Sequence, residues 1–526
     1  MKHSIIKTTL FFSLFVMTFS GCKKSLEEKF YNPEVSTTAS LPGFLTDLIN
    51  NDRVRPSYWN LRTFLLMHSA VYSQTTFFTP DNAMYEQQDG YTNDYWRDYY
   101  SPGVLGIYRA MEKTYAALPE AEKASKQIYM EAAKIVLYDQ TAQMIDNFGD
   151  IPFSEAGSLP SSNIITLPKF DDQVQLYNLV LDGLKSSGTF FATAKANADF
   201  TKADILNSGS LTKWQRYANS IRFRLLMRIS NVNEAVARPA VLEMLNNSTT
   251  YPLVDGENVL DYNPLLTDIL LRPLTNFADD LTKALNELPS FYAPDYMLNT
   301  VMNPSNDPRI PVYFDKYGTT TASTGFVQNP TYRAMPITFT ASQVETENTK
   351  YAVIDSATIW MNQYLPGPVI TASEVNFLKA EAQERWGSTE LAKAHYETAV
   401  SQSVTFYYYL NNLSLKGNKE VKPTPAAINT FVTTSTIAYT GTTGNKLNQI
   451  GTQKWLHFGF LQAQQAWAEY RRTKIPALTF PTGGKAGFAT PPTRLLYPSI
   501  EKTNNSVNYQ AVQAKDTRTN KIFWMP

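Results

Sequence analysis

The 526-residue chain is predicted to be mainly α-helical, with a scaffold of tetratricopeptide-like helix pairs and a loop-rich lobe carrying a ligand surface. Three observations predict this class. Apolar residues recur at helical spacing in the first 230 residues, as in Val104, Ile107, Tyr108 and Met111, then Ile128, Ala132, Ile135 and Val136. In the second half, Ala380, Gly387, Ala392, Tyr396 and Ala399 keep the spacing of the packing residues in one tetratricopeptide unit, with Gln383 where an aromatic is usual. A helical hairpin with small residues at its crossing explains that stretch, taken alone, equally well. Between about residue 231 and residue 372 the composition shifts to Pro, Asn, Thr and Tyr, the residues of turns and loops.

The chain opens with Lys2 and Lys7, an apolar run from Leu10 to Phe19, and the small pair Ser20-Gly21 before Cys22. That order is a cationic region, an apolar core too short to cross a bilayer, and a cleavage site. It resembles the bacterial lipoprotein signal, which implies that residues 1–21 are removed and that Cys22 is thioacylated. Residues 22–40 then form a lipidated tether, and residues 41–526 a single body whose scaffold lies mainly in 41–230 and 373–475. Acyl chains contribute about 0.8 kcal/mol per buried methylene, enough for several together to hold the chain on a membrane.

Cys22 is the only cysteine, so the body has no intrachain disulfide and depends on a large core. With 43% hydrophobic and 18% charged residues, and no later apolar stretch of membrane-spanning length, that core is within reach. Loss of Lys2 and Lys7 leaves 45 basic against 47 acidic residues, a balance that argues against a nucleic-acid partner.

Within the body, helices are expected from Gly43 to Leu66, from Val104 to Phe148, from about Asp171 to Ser187 with Asp171-Asp172 as cap, and from Thr212 to Ile229. The 231–372 lobe is expected to hold short strands and short helical pieces such as Leu274 to Leu288. Helices return at Ser373 to Ser403 and at Gln453 to Arg472, and an extended tail runs from Pro476. Phe148-Gly149-Asp150-Ile151-Pro152 reads as a helix stop, with Gly149 suited to a left-handed position and Pro152 barring continuation, rather than as a catalytic pair of aspartates. Arg222, Arg224 and Arg228 share a helix with Leu225, Leu226 and Ile229, so ion pairing with Glu374, Glu381 or backbone carbonyls between stacked helices is favoured over anion binding.

Several segments resemble the SusD/RagB family of outer-membrane nutrient-binding lipoproteins. They are Cys22, Asp146 to Phe153, Lys213 to Ser220 with Arg222, Arg224 and Arg228, Ser373 to Ala382, Gln453-Lys454-Trp455, Ala466-Trp467 with Arg471-Arg472, and Arg494 to Pro498. The resemblance implies a SusD-like fold, a lipid-anchored place on the outer face of the cell outer membrane, a SusC-like TonB-dependent transporter as partner, and capture of an oligosaccharide or peptide without catalysis. It names no ligand contacts.

The residues suggest those contacts separately. Aromatic residues crowd 77–108, where Phe78, Tyr85 and Tyr91, with Asp81 and Asn82 between them, are candidates to stack on sugar rings or peptide side chains. Trp96, Tyr99, Tyr100 and Tyr108 are expected to pack inward. In the lobe, Tyr296, Tyr317 and Tyr332 are further candidates, Arg309 beside Asp307 is expected to be structural, and Trp360 with Tyr364 could close the same surface. His68, His395 and His457 lack metal-ligand spacing, so neither metal nor cofactor is expected. Two other readings remain: a helical glycan-degrading enzyme and a tetratricopeptide-type protein-interaction scaffold.

Overall fold

The computed structural model describes residues 40–53, 55, 57–77, 83–100, 103–159, 164–256, 262–273, 280–287 and 291–526. The expected signal segment, Cys22 and nearly all of the tether lie outside them. Leu41–Pro526 form one compact unit.

Its principal helices are α1 (Leu41–Ile49), α2 (Asp89–Tyr100), α3 (Val104–Ala116), α4 (Glu120–Phe148), α5 (Gln173–Thr193), α6 (Leu211–Ile229), α7 (Glu234–Asn246), α8 (Ala372–Trp386), α9 (Thr389–Leu413), α10 (Pro425–Thr434), α11 (Thr443–Phe458) and α12 (Ala463–Thr473). Polar caps set their starts. Asp172 accepts from the amides of Val174 and Gln175 at the head of α5, Ser210 caps α6, and Thr371 caps α8. At the end of α4, Gly149 takes a positive φ of 78° while its amide still bonds Ile145, as the helix-stop reading requires. Helix α8 packs on α9 with Ala380, Ala392, Tyr396 and Ala399 fully buried, α6 packs on α5, and α11 packs on both α8 and α12.

Several expected elements need correction. The Gly43–Leu66 helix is two: α1 ends at Ile49, where Asn51 turns its side-chain oxygen onto the amide of Arg53 at 2.8 Å, and a π-helical segment Trp59–Ser69 follows. The Gln453–Arg472 helix begins earlier, at the Thr442–Asn445 capping box, and breaks at Gly459, whose φ is +47°. The lobe contains a full helix, α7, which carries Pro239 yet buries Ala237, Val241 and Met244 along one stripe. Leu274–Leu288 reduces to Asp280–Asn286 among the described residues. The tail is extended only as far as Pro498, beyond which lie the short helices Ser499–Asn504 and Ser506–Tyr509, and it buries Leu495, Ile522 and Trp524 in the core.

The strands are short antiparallel pairs. β1 (Ile151–Pro152) meets β2 (Phe170–Asp171), β3 (Ile269–Leu271) meets β8 (Gly367–Ile370), β4 (Phe314–Asp315) meets β7 (Val353–Ile354), and β5 (Gly318–Thr321) forms a hairpin with β6 (Gly325–Gln328).

Of the three arginines expected to pair, Arg224 and Arg228 do so at the centre of the scaffold, whereas Arg222 is a correction: its guanidinium lies 5.8 Å over the Tyr251 ring instead. Arg224 grips Glu374 with Nε at 2.5 Å and Nη2 at 2.7 Å. Arg472 of α12 holds Glu381 of α8 bidentately, both bonds at 2.7 Å, and bonds Glu469 at 2.6 Å; Lys454 of α11 bonds Glu469 at 2.7 Å and Glu381 at 3.2 Å. Arg228 of α6 joins through Gln465 at 2.7 Å. Burial alone would raise the Glu381 carboxyl, but the charges of Arg472 and Lys454 outweigh it and hold the group at about 2. Arg309, also buried, ties the lobe to this frame. It bonds Asp307 at 2.6 Å, Ser403 of α9 at 2.9 Å and Gln453 of α11 at 2.6 Å.

Two predictions follow from these buried groups. Glu381→Ala leaves Arg472 and Lys454 short of a partner and should cost about 3–5 kcal/mol in urea unfolding, whereas Lys393→Ala, from an exposed pair with Glu397, should cost under about 1 kcal/mol. Burial pushes His68 down to about 4 and His457 to about 3 from an ordinary 6.5. Both are neutral when folded and take up protons when unfolded, so the stability they allow is full above pH 6.5 and lost as pH falls from there toward 3. Urea midpoints measured between neutral and mildly acid pH should fall accordingly; a flat profile across that range would contradict it.

Candidate ligand surface

The sequence-predicted contacts do not all reach one surface. Phe78, Asp81 and Asn82 lie outside the described residues. Tyr85 is a correction: it is 1% exposed, and its hydroxyl donates to the carbonyl of Pro481 at 2.8 Å, so it packs the returning C-terminal segment onto the scaffold. Trp96 and Tyr99 are buried as expected, while Tyr100 and Tyr108 are half-buried. Tyr296 is half-buried with its ring edge-on to Trp455, 6.0 Å away. Tyr317 packs against a small cluster containing Phe77, Tyr292, Met335 and Tyr351, where Phe77 meets Tyr292 edge-on at 5.9 Å. That contact joins the two aromatic stretches of the sequence. Tyr332, half-buried, has the Lys316 ammonium 5.0 Å over its ring.

Tyr91 and Trp360, by contrast, belong to one linked group, and the helix Asp280–Asn286 is what brings them together. It packs on both the π-helical Trp59–Ser69 and the π-helical Ser356–Trp360. At its end, Asn286 accepts from the Trp360 indole at 3.2 Å, and the next residue, Glu287, accepts from the Tyr58 hydroxyl at 2.5 Å and from Arg62 Nε at 2.8 Å. The Arg62 guanidinium also lies 5.3 Å over the Tyr91 ring and donates to the Tyr91 hydroxyl. Tyr58 meets Trp59 edge-on at 5.0 Å, and Trp59 stands 56% exposed. The Tyr58 hydrogen bond, and then Arg62, hold the Glu287 carboxyl below the usual carboxylate range.

The surface therefore offers large rings around a fixed acceptor and a fixed cation, on segments positioned by rigid helices. Sequence reasoning missed Tyr58, Trp59, Arg62, Asn286 and Glu287. A signal existed: Leu61, Leu65 and Leu66 mark the buried side of the Trp59–Ser69 segment, and Trp59 falls out of phase with them. On that buried side, Asn60, Leu61 and Leu65 line a cleft of about 70 Å³ with Gln140, Gln143 and Gln462. Among the described residues, no group of three His, Cys, Asp or Glu side chains is placed to hold a metal ion, and no helix is long and apolar enough to cross a membrane.

Comparison with known proteins fits this architecture. The profile of a SusD-like family, described as starch-binding and associating with the outer membrane, matches residues 34–498. No curated protein matches the chain. Among solved structures, a chitin-binding protein shares 22% identity at a TM-score of 0.74, over 93% of this chain and 100% of its own. A chitin-binding SusD homolog from Flavobacterium johnsoniae shares 21% at 0.68, over 92% and 98%. A SusD homolog from Bacteroides uniformis shares 19% at 0.68, over 93% and 100%.

The two kinds of aromatic residue should separate on mutation. Tyr85→Ala removes a buried ring and should cost about 3–5 kcal/mol in chemical unfolding, whereas Trp59→Ala, at an exposed position, should change stability by less than about 0.5 kcal/mol.

Proposed function

The chain belongs to the SusD-like family, and from that premise we propose that it is a lipid-anchored protein of the outer-membrane surface. It captures oligosaccharide, or else peptide, nutrients and passes them to a SusC-like TonB-dependent transporter. The observation that carries the binding part is the group of Tyr58, Trp59, Tyr91 and Trp360 around Glu287 and Arg62. Aromatic faces suit the C–H faces of sugar rings, and a held carboxylate, guanidinium and amide suit hydroxyls. Two structural neighbours described as chitin-binding favour glycan over peptide. The family description and the Cys22 signal pattern support the membrane placement.

Capture is favoured over catalysis by the company Glu287 keeps. Its carboxylate is engaged by a hydroxyl and a guanidinium and held ionised, which suits acceptance of a hydroxyl proton. Glycoside hydrolysis instead requires a facing pair of carboxyls, one of them held protonated.

The test is affinity electrophoresis and calorimetry of the protein against a panel that includes starch, chitin oligomers and peptide mixtures, with chromatography of the same ligands for breakdown. Binding without cleavage is expected, and Trp59→Ala or Trp360→Ala should weaken it by about 1–2 kcal/mol, roughly five- to thirty-fold. Cleavage, or binding that neither substitution alters, would overturn this reading of the surface.

A further inference from the structure

Away from the aromatic group, strands β4 and β7 bring two carboxylates together. Asp315 ends β4 opposite Val353, and Asp355 follows β7 directly. Asp355 is 1% exposed. Its Oδ1 accepts from the Thr358 amide at 2.6 Å and from Asn411 Nδ2 at 3.1 Å, while its buried Oδ2 has no hydrogen-bond donor. Asp315 takes the neighbouring Ser356 amide on its own Oδ2 at 2.8 Å, so one turn of backbone holds both side chains. Among the described residues neither aspartate has an ion pair with a lysine or arginine, and the adjacent Lys316 turns its ammonium over the Tyr332 ring. Ser356 and Ala357, next to Asp355 in the chain, lie close to Gly417 of the 414–420 loop.

A buried carboxyl beside a half-exposed one calls for either a shared proton or a cation, because a lone buried charge is costly. We propose that Asp315 and Asp355 together hold a divalent cation of the hard, oxygen-liganded class, with Ca²⁺ as its probe. The free Oδ2 of Asp355 and the half-exposed carboxylate of Asp315 supply the charge, and carbonyls and water complete such a shell. Asp355 also caps the π-helical Ser356–Trp360, so a bound ion fixes the segment that ends on Trp360.

The experiment is calorimetry of the EDTA-stripped protein with CaCl₂ near neutral pH, beside thermal unfolding in CaCl₂ and in EDTA. One Ca²⁺ per chain is expected, with a Kd of about 10⁻³ M or tighter and a higher Tm in CaCl₂. Asp315→Asn keeps an oxygen for the Ser356 amide but removes one charge, and should weaken Ca²⁺ binding at least about tenfold. The same substitution should leave the melting temperature in EDTA unchanged or raised, since it relieves the repulsion. No heat and no Tm shift up to about 10 mM CaCl₂ would overturn the proposal in favour of a shared proton, and so would unchanged Ca²⁺ binding by Asp315→Asn.

Discussion

Everything else in this molecule is arranged around a set of charges that cannot be separated. Glu381, Glu469, Arg472 and Lys454 are buried together, and Arg228 reaches them from α6. A buried ion pair adds little net stability compared with apolar side chains of the same volume, but removing one member leaves an uncompensated charge. Such a cluster therefore acts through specificity: only the arrangement that brings α6, α8, α11 and α12 to one point satisfies every member. Because those helices come from positions 211 to 473, the constraint closes the chain over half of its length.

The lobe depends on that frame through a second polar chain. Arg309 bonds Ser403, whose hydroxyl also contacts His457 Nδ1 at 3.0 Å, and His457 Nε2 lies 2.7 Å from the hydroxyl of Thr371, the cap of α8. A neutral histidine uses one ring nitrogen as donor and the other as acceptor, so burial, which keeps His457 neutral, also keeps this relay complete. The lobe's loops can then vary without loosening the helices, and the ligand-facing rings ride on short segments whose ends are fixed.

The fold was legible where physics is local, and illegible where it is not. Helical periodicity gives α3, α4 and α6 because their buried faces are continuous, and Asp172 and Gly149 mark boundaries through their own hydrogen bonds and dihedrals. Arg224 and Arg228 were readable as ion-paired because charge beside Leu225 and Leu226 has to find a partner; Arg222, which packs over Tyr251, was not. The break at Gly459 was less readable, because glycine within an apolar run is compatible with either outcome. Among the site residues, Tyr91 and Trp360 were recognised as aromatics on exposed segments, but their neighbours depend on a helix 190 residues from one and 75 from the other, estimated roughly from its place in the chain. Tyr85 was misread because its partner, Pro481, arrives from the far end of the chain, and composition carries no information about that return.

The polar part of the ligand surface shows how such a site is prepared. Glu287 is too exposed for its pairing with Arg62 to add much stability, since solvent screens it and the side chains lose freedom. Their value is positional. Held by Tyr58 on one side and Tyr91 on the other, the carboxylate and guanidinium are ordered before any ligand arrives, so part of the entropy cost of binding has already been met in folding. The exposed ring of Trp59 adds contact area with few rotatable bonds. A surface of this kind is ordered without being enclosed: it binds from solution and releases again without a lid having to open, which is what capture followed by transfer demands.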